Sequence, residues 1–145
     1  MGGVICKFVE NGQLELIEPE LRDYKFFCFD GRVRFLKVDI GRFKEHHANY
    51  YDNDFHLLPF GEAMYLPDSQ AIVERPAEFE KMIELSERLS AGEPFLRVDL
   101  YNVNDIIRFG ELTFFPASGL ENYKPAEWDR RIGDMLVLPQ ASLNN

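Results

Sequence analysis

The residues best able to do chemistry lie in two short stretches, FLRVDLY at 95–101 and IIRFGELTFF at 106–115. Alternate side chains of an extended strand share a face. Phe95, Arg97, Asp99 and Tyr101 therefore stand on one side of the first stretch, and Leu96, Val98 and Leu100 on the other. The wholly apolar row marks the core side. In the second stretch Glu111, Thr113 and Phe115 are in phase, against Leu112 and Phe114 on the core side. A hairpin centred near residue 105 sets Asp99 opposite Glu111. Like charges about 4 Å apart repel by roughly 4 kcal/mol at an effective dielectric near 20, and sheets ordinarily avoid such pairs. A shared proton, the Arg97 guanidinium or a divalent cation must offset that repulsion. A hard oxygen site built from Asp99, Glu111 and the Thr113 hydroxyl suits Mg²⁺, which takes one or two carboxylates plus waters and substrate phosphates. The same spacing also describes a salt-bridged sheet face turned to solvent, with Arg97 against Asp99. Alternation alone does not separate the two.

These strands need a framework. The polar turn Asn102-Val103-Asn104-Asp105 joins them, and Pro116-Ala117-Ser118-Gly119 ends the second. DYKFFCFDGRVRFLKVDIGRF (23–43) reads as another hairpin, because Asp30-Gly31 supplies the positive φ that a tight turn demands. Residues 4–10 read as a short strand closed by Asn11-Gly12. Residues 44–70 carry His, Asn, Asp, Pro and Gly without a sustained period, so a long irregular loop is expected there. Pro76 opens a helix to about Ala91, stopped by Gly92, with Phe79, Met82, Ile83, Ser86 and Leu89 on one face. A final helix from Pro125 buries Trp128, Ile132, Met135 and Leu136. The expected fold class is α+β: one domain over 1–145, an antiparallel sheet of two hairpins with two packed helices.

Composition narrows the partners. The 145 residues carry a formal net charge of −9, with 46% hydrophobic and 28% charged residues, which is globular composition. With 13 Phe and 6 Tyr the core is rich in rings, which favours sheet. The acidic balance argues against nucleic acid and anionic lipid, since no overall field attracts phosphate. Cys6 and Cys28 sit in apolar runs and read as buried free thiols. His46, His47 and His56 lack zinc-ligand spacing. No run of 18 apolar residues offers a membrane span. The N-terminus shows no signal-peptide pattern, and Cys6 stands where a myristoylation motif has Ser or Thr. A cytoplasmic protein is expected.

The ordered motifs carry a resemblance. Arg97-Val98-Asp99, then Gly110-Glu111-Leu112-Thr113, then Pro116-Ala117-Ser118-Gly119 resembles the R-x-D … E-x-N … P-G signature that ends the ATP-grasp fold of carboxylate–amine ligases. The fuller set DYKFFCFDG, HANYYD, FLRVDLYNV, FGELTFFPASG and EWDRRIGD is similar to the TupA-like ATP-grasp family, across roughly residues 4–139. That family is associated with polysaccharide and teichuronopeptide synthesis, and its members are often labelled glycosyltransferases. The resemblance implies ATP and Mg²⁺ as cofactors, with Asp99 and Glu111 as metal ligands and Glu111 bridging two ions. Thr113 stands where many relatives have Asn, and a hydroxyl is a weaker third ligand. Arg97 matches the arginine that contacts phosphate oxygens in the transition state. Lys7, Phe8 and Val9 resemble the hinge strand that pairs with adenine, Lys25 is placed near phosphate, and His46, His47 and Asn49 near phosphates or acceptor.

The implied reaction is ATP-dependent ligation, in which a substrate carboxylate takes the γ-phosphate and an amine then displaces phosphate from the acyl phosphate. No side-chain nucleophile is required. The chain resembles only the C-terminal subdomain of that fold. The Gly-rich phosphate loop of the N-terminal subdomain has no counterpart, and no Walker-type run replaces it. The expected partners are therefore a nucleotide, a carboxylate and an amine substrate, and a separate chain supplying the other subdomain. An apolar docking surface that promotes self-association is expected as well. The competing functions are a non-catalytic scaffold in polysaccharide assembly and a glycosyltransferase, the latter disfavoured because no open parallel sheet is evident.

Overall fold

The computed structural model describes residues 22–41 and 45–140, and the backbone of two earlier strands, β1 (Ile5–Phe8) and β2 (Leu14–Ile17), which pair antiparallel. Lys7 and Phe8 lie in β1 with only their backbone described, whereas Val9 and the turn after it lie outside the described residues.

The centre of the fold is a five-stranded sheet of β3 (Asp23–Phe29), β4 (Arg32–Ile40), β5 (His47–Tyr51), β7 (Phe95–Val103) and β8 (Ile106–Thr113), in the spatial order β5-β4-β3-β7-β8. Every pairing in it is antiparallel. The class is α+β, as composition and turn chemistry predict. Asp30 and Gly31 both have positive φ, 50° and 71°, in the turn between β3 and β4. The β7–β8 turn is tighter than the sequence suggests. It needs only Asn104 and Asp105, with φ of 52° and 60°, and Asn102 and Val103 extend the strand. Asparagine and aspartate tolerate that left-handed backbone better than most residues.

Residues 44–70 are not wholly irregular. His47–Tyr51 forms β5 on the edge of the sheet, and Gly61–Glu62 forms β6, paired with β9 (Tyr123–Lys124). HANYY hides its strand character because its alternation, His47 and Asn49 against Ala48 and Tyr50, is only a few residues long, and its polar Asn49 is buried along with Ala48, Tyr50 and Tyr51.

Helix α1 (Phe79–Leu89) covers one face of the sheet. Phe79 and Met82 pack on Tyr24, Phe26, Cys28, Val33, Leu36, Val38, Leu96, Val98 and Leu100. Ser86 turns its hydroxyl back to the Met82 carbonyl at 2.8 Å, and its small side chain lets the helix approach Cys28, whose Sγ lies 3.8 Å from the Ser86 carbonyl. Glu87 ties the helix down, accepting from the Val33 N–H at 3.2 Å and from Arg32 at 3.1 Å. Leu89, placed by periodicity on the buried face, is exposed at the helix end. Burial pushes the Cys28 thiol up to about 11, so it stays a protonated, inert core group.

The opposite face splits in two. One half is a second apolar layer of Phe27, Phe29, Phe35, Ala48 and Tyr50, roofed by Phe60, Trp128 and Ile132, the last two from helix α2 (Ala126–Asp134). Phe60 stacks on Trp128 at 4.6 Å and lies 4.6 Å from Tyr50. Leu136, expected in the core, is exposed because α2 ends before it. The other half carries the charges.

One irregularity makes both faces possible. Val33 packs under α1 and Phe35 in the second layer, although strict alternation puts residues i and i+2 on one face. The β3–β4 register shifts here, Phe27 facing Phe35 and Cys28 facing Val33, so Arg34 is the extra residue of a bulge.

Beyond α1, the outermost strand is less covered than alternation implies. Leu112 and Phe114, assigned to the core side, are 40% and 50% exposed, and Phe109 beside them is 59% exposed.

Candidate functional site

Cross-strand pairing builds the charged half of the sheet as a row. Lys37 of β4 faces Lys25 of β3, Lys25 faces Asp99 of β7, and Asp99 faces Glu111 of β8. Adjacent strands lie about 4.8 Å apart, so the row spans four strands within one small patch. Asp99 does stand opposite Glu111, and the reason is a second bulge. Below it, Leu100 faces Phe109; above it, Asp99 faces Glu111, with Gly110 the extra residue. The turn at Asn104-Asp105 alone would put Gly110 opposite Asp99. The inserted residue swings Glu111 onto the carboxylate face.

Gly110 is needed there. A Cβ at this position would lie 2.9 Å from the Asp99 carbonyl oxygen and 2.8 Å from the Tyr101 ring. The ring can move, but the carbonyl is held in the sheet. Gly110→Ala is expected to cost about 1–3 kcal/mol of stability through overpacking, read as a lowered urea midpoint with an unchanged slope.

The repulsion between Asp99 and Glu111 is offset by Arg97. Its Nε donates to Asp99 Oδ1 at 2.8 Å, and its Nη2 donates to Asp99 Oδ2 at 2.8 Å and to Glu111 Oε1 at 2.9 Å. The Thr113 hydroxyl donates to the same Glu111 oxygen at 3.3 Å. Asp99 is 2% exposed, so the Arg97–Asp99 pair is a buried salt bridge and not one turned to solvent. The Glu111 side chain, by contrast, is 63% exposed and open to an incoming ligand.

Lys25 completes the buried end. Its Nζ donates to Asp99 Oδ2 at 3.1 Å and to Asp23, and lies 3.8 Å from Asp39. Burial is the largest single influence on Lys25 and pulls its pKa down, but hydrogen bonds and charge from Asp23 and Asp99 together outweigh it and leave the value raised. Arg97 follows the same pattern, with burial opposing and Asp99 and Glu111 prevailing. Both cations stay charged.

His47 and Asn49 are not brought to this patch. The β4–β5 register puts them across from Ile40 and Val38, on the α1 side of the sheet. Their polar atoms hold the following loop: His47 Nδ1 bonds the Leu66 carbonyl at 2.9 Å, and Asn49 exchanges hydrogen bonds of 2.7 and 2.8 Å with the Asp68 backbone. His46 is on the charged side instead, 2.9 Å from Asp39 and stacked on Tyr65 at 3.7 Å.

The structure adds residues that strand reading did not single out. Asp23, Asp39, Lys37 and Glu62 are joined to the row: Lys37 lies 3.5 Å from Asp39 and 2.5 Å from Glu62. Asp23 was within reach of the sequence, being in phase with Lys25 in an otherwise apolar strand. Lys37 and Asp39 were hidden by the bulge at Arg34. Glu62 comes from a two-residue strand that leaves no periodic signal.

The donor set is of the chemical kind that a hard divalent cation takes. Two carboxylates lie within 2.9 Å of one guanidinium nitrogen, and the Thr113 hydroxyl stands 3.3 Å from the Glu111 carboxylate; a hard cation prefers oxygen ligands of this kind. No helix of the described residues is long and apolar enough to cross a membrane. No curated protein and no solved structure matches the chain. A family model described as TupA-like ATPgrasp matches residues 8–137. That stretch contains the β3–β4 and β7–β8 hairpins and both helices, and the chain belongs to the TupA-like ATP-grasp family.

Proposed function

We propose that the charged half of the sheet is the Mg²⁺–nucleotide side of an ATP-dependent carboxylate–amine ligase, and that the family's link to cell-surface polysaccharide assembly is the setting in which it works. The observation that carries this reading is the Arg97–Asp99–Glu111 cluster, a buried carboxylate and an exposed one held by a single guanidinium.

Each residue has a role that follows from its surroundings. Asp99 is the fixed ligand, immobilised by Arg97 and Lys25. Glu111 is the accessible one, free to turn toward phosphate-bound metal, with the Thr113 hydroxyl beside it. Mg²⁺ bound there supplies Lewis-acid stabilisation and a template for the transferring phosphoryl group. Arg97, its side chain 14% exposed, is a preorganised positive charge where negative charge develops. Lys25 gives the buried end a second such charge. The opposite wall of the nucleotide site is assigned to a further subdomain.

Mn²⁺ tests the location, because it accepts the same oxygen ligands as Mg²⁺ and broadens nearby NMR signals. With Mn²⁺ and ADP, broadening is expected first at Asp99, Glu111 and Thr113. The exposed group Asp52, Asp54 and His56 is a built-in control, since its ligand atoms lie within 4.8 Å of one another. Broadening centred there, with the Asp99 strand untouched, would overturn the reading.

A further inference from the structure

The two edges of the central sheet are finished differently. Outside β5 the chain covers its own edge: the Leu58 N–H bonds the Tyr50 carbonyl at 2.8 Å, Tyr51 bridges to Leu57, and Asn49 holds the Asp68 backbone. β8 ends the strand order on the other side, and no strand of the described residues pairs with its outer edge. It is eight residues long and carries no lysine or proline to blunt that edge. Ile106, Phe109 and Leu112 are exposed along it. Arg108 is exposed too and, among the described residues, enters no ion pair. Pairing with β7 fixes the faces. Phe109 and Leu112 stand opposite Leu100 and Val98, on the α1 side, whereas Arg108, Glu111 and Thr113 stand opposite Tyr101, Asp99 and Arg97, on the charged side.

We propose that β8 is the seat of a two-fold homodimer, in which it pairs antiparallel with β8 of a second copy and Arg108 of each chain meets Glu111 of the other. Identical strands paired in this way are related by a two-fold axis, so both bring the same bulge to the join. In a regular strand Arg108 and Glu111, three residues apart, point to opposite faces. The extra residue Gly110 puts them on one face. A register centred between Phe109 and Gly110 then sets cation against anion twice, with Cβ atoms about 5 Å apart. The same register sets Ile107 against Leu112 on the α1 side, apolar against apolar. A slip of one residue faces Phe109 with Glu111 and Arg108 with Leu112, which mismatches the faces. A slip of two, toward Thr113, keeps the faces but trades both ion pairs for Arg108 against Thr113. Arg97 and Thr113 both use Glu111 Oε1, which leaves Oε2 for the arginine of the other copy. Main-chain hydrogen bonds along the joined edges supply the rest. The pairing stands without the metal-site reading; with it, an arginine of the second copy stands beside the accessible ligand of each site.

Sedimentation velocity of the metal-free, nucleotide-free chain is expected to show a dimer at micromolar concentration. Arg108→Glu sets carboxylate against carboxylate twice per dimer and is expected to raise the dissociation constant by about 100-fold. Arg130→Glu makes the same change of charge at an exposed position of α2 and is expected to leave the constant unchanged. A wild-type monomer throughout, a dimer that survives Arg108→Glu, or one weakened equally by Arg130→Glu would overturn the proposal. Hydrogen exchange of the unmutated chain gives the same answer if a variant does not fold. Amides of Ile106–Thr113 are expected to exchange more slowly as protein concentration rises, while those of β5 stay constant. Exchange in β8 that is independent of concentration refutes the pairing.

Discussion

Lys25→Met is expected to lower folding stability by about 3–5 kcal/mol, the range for removing one partner of a buried ion pair. Methionine fits the space of the lysine stem, so the loss is electrostatic rather than steric. Asp99 then depends on Arg97 alone, and Asp23 and Asp39 lose a shared cation in a patch where all three carboxylates are buried. Adding Asp23→Asn is expected to restore part of the loss, because it removes one of the negative charges. Urea unfolding of the single and double variants checks both statements. A single-variant loss below about 1 kcal/mol, the size of an exposed pair, would show that water reaches the patch freely. The folded-state pKa of Lys25 is raised, so its contribution is complete at every pH below the ordinary lysine range. It is lost only as pH climbs through the raised value.

Phe60→Ala is expected to cost a similar amount, about 3–5 kcal/mol, for a buried phenylalanine truncated to a methyl. Phe60 is 2% exposed and touches four rings, those of Phe35, Tyr50, Tyr123 and Trp128, at centroid distances of 5.5, 4.6, 5.6 and 4.6 Å. Its removal separates the roof of the second layer from the sheet. The Trp128 emission should shift to the red along with the lowered midpoint. A stability loss without any spectral shift would mean that α2 is held by other contacts.

How much of this was legible in the sequence depended on where strict periodicity held. The apolar row Leu96, Val98 and Leu100 was buried as alternation demands, and the Asp30-Gly31 turn followed from backbone chemistry, whereas the second turn was read as four residues, 102–105, of which two belong to the strand. The Asp99–Glu111 pairing was found, yet only because the assumed hairpin centre absorbed a bulge at Gly110 that alternation cannot reveal. The bulge at Arg34 had the opposite effect and concealed Lys37 and Asp39. The second aromatic layer was missed for a different reason. Its roof comes from Phe60, in a segment without a period, so nothing local indicated that Phe27, Phe29 and Phe35 needed covering on the face away from α1. His47 and Asn49 carry chemistry-bearing side chains, but their face was fixed by pairing with β4, a long-range fact.

The most direct test of the central claim is calorimetric titration of Mg²⁺–ADP into the wild-type chain and into Glu111→Gln. This substitution keeps the shape of a largely exposed side chain and removes one ligand charge. It is therefore expected to leave the fold intact while weakening binding by about 100-fold, or roughly 2.7 kcal/mol. Equal affinities for the two folded proteins, or no binding heat from the wild type at millimolar nucleotide, would contradict the assignment of Asp99 and Glu111 as the metal–nucleotide ligands.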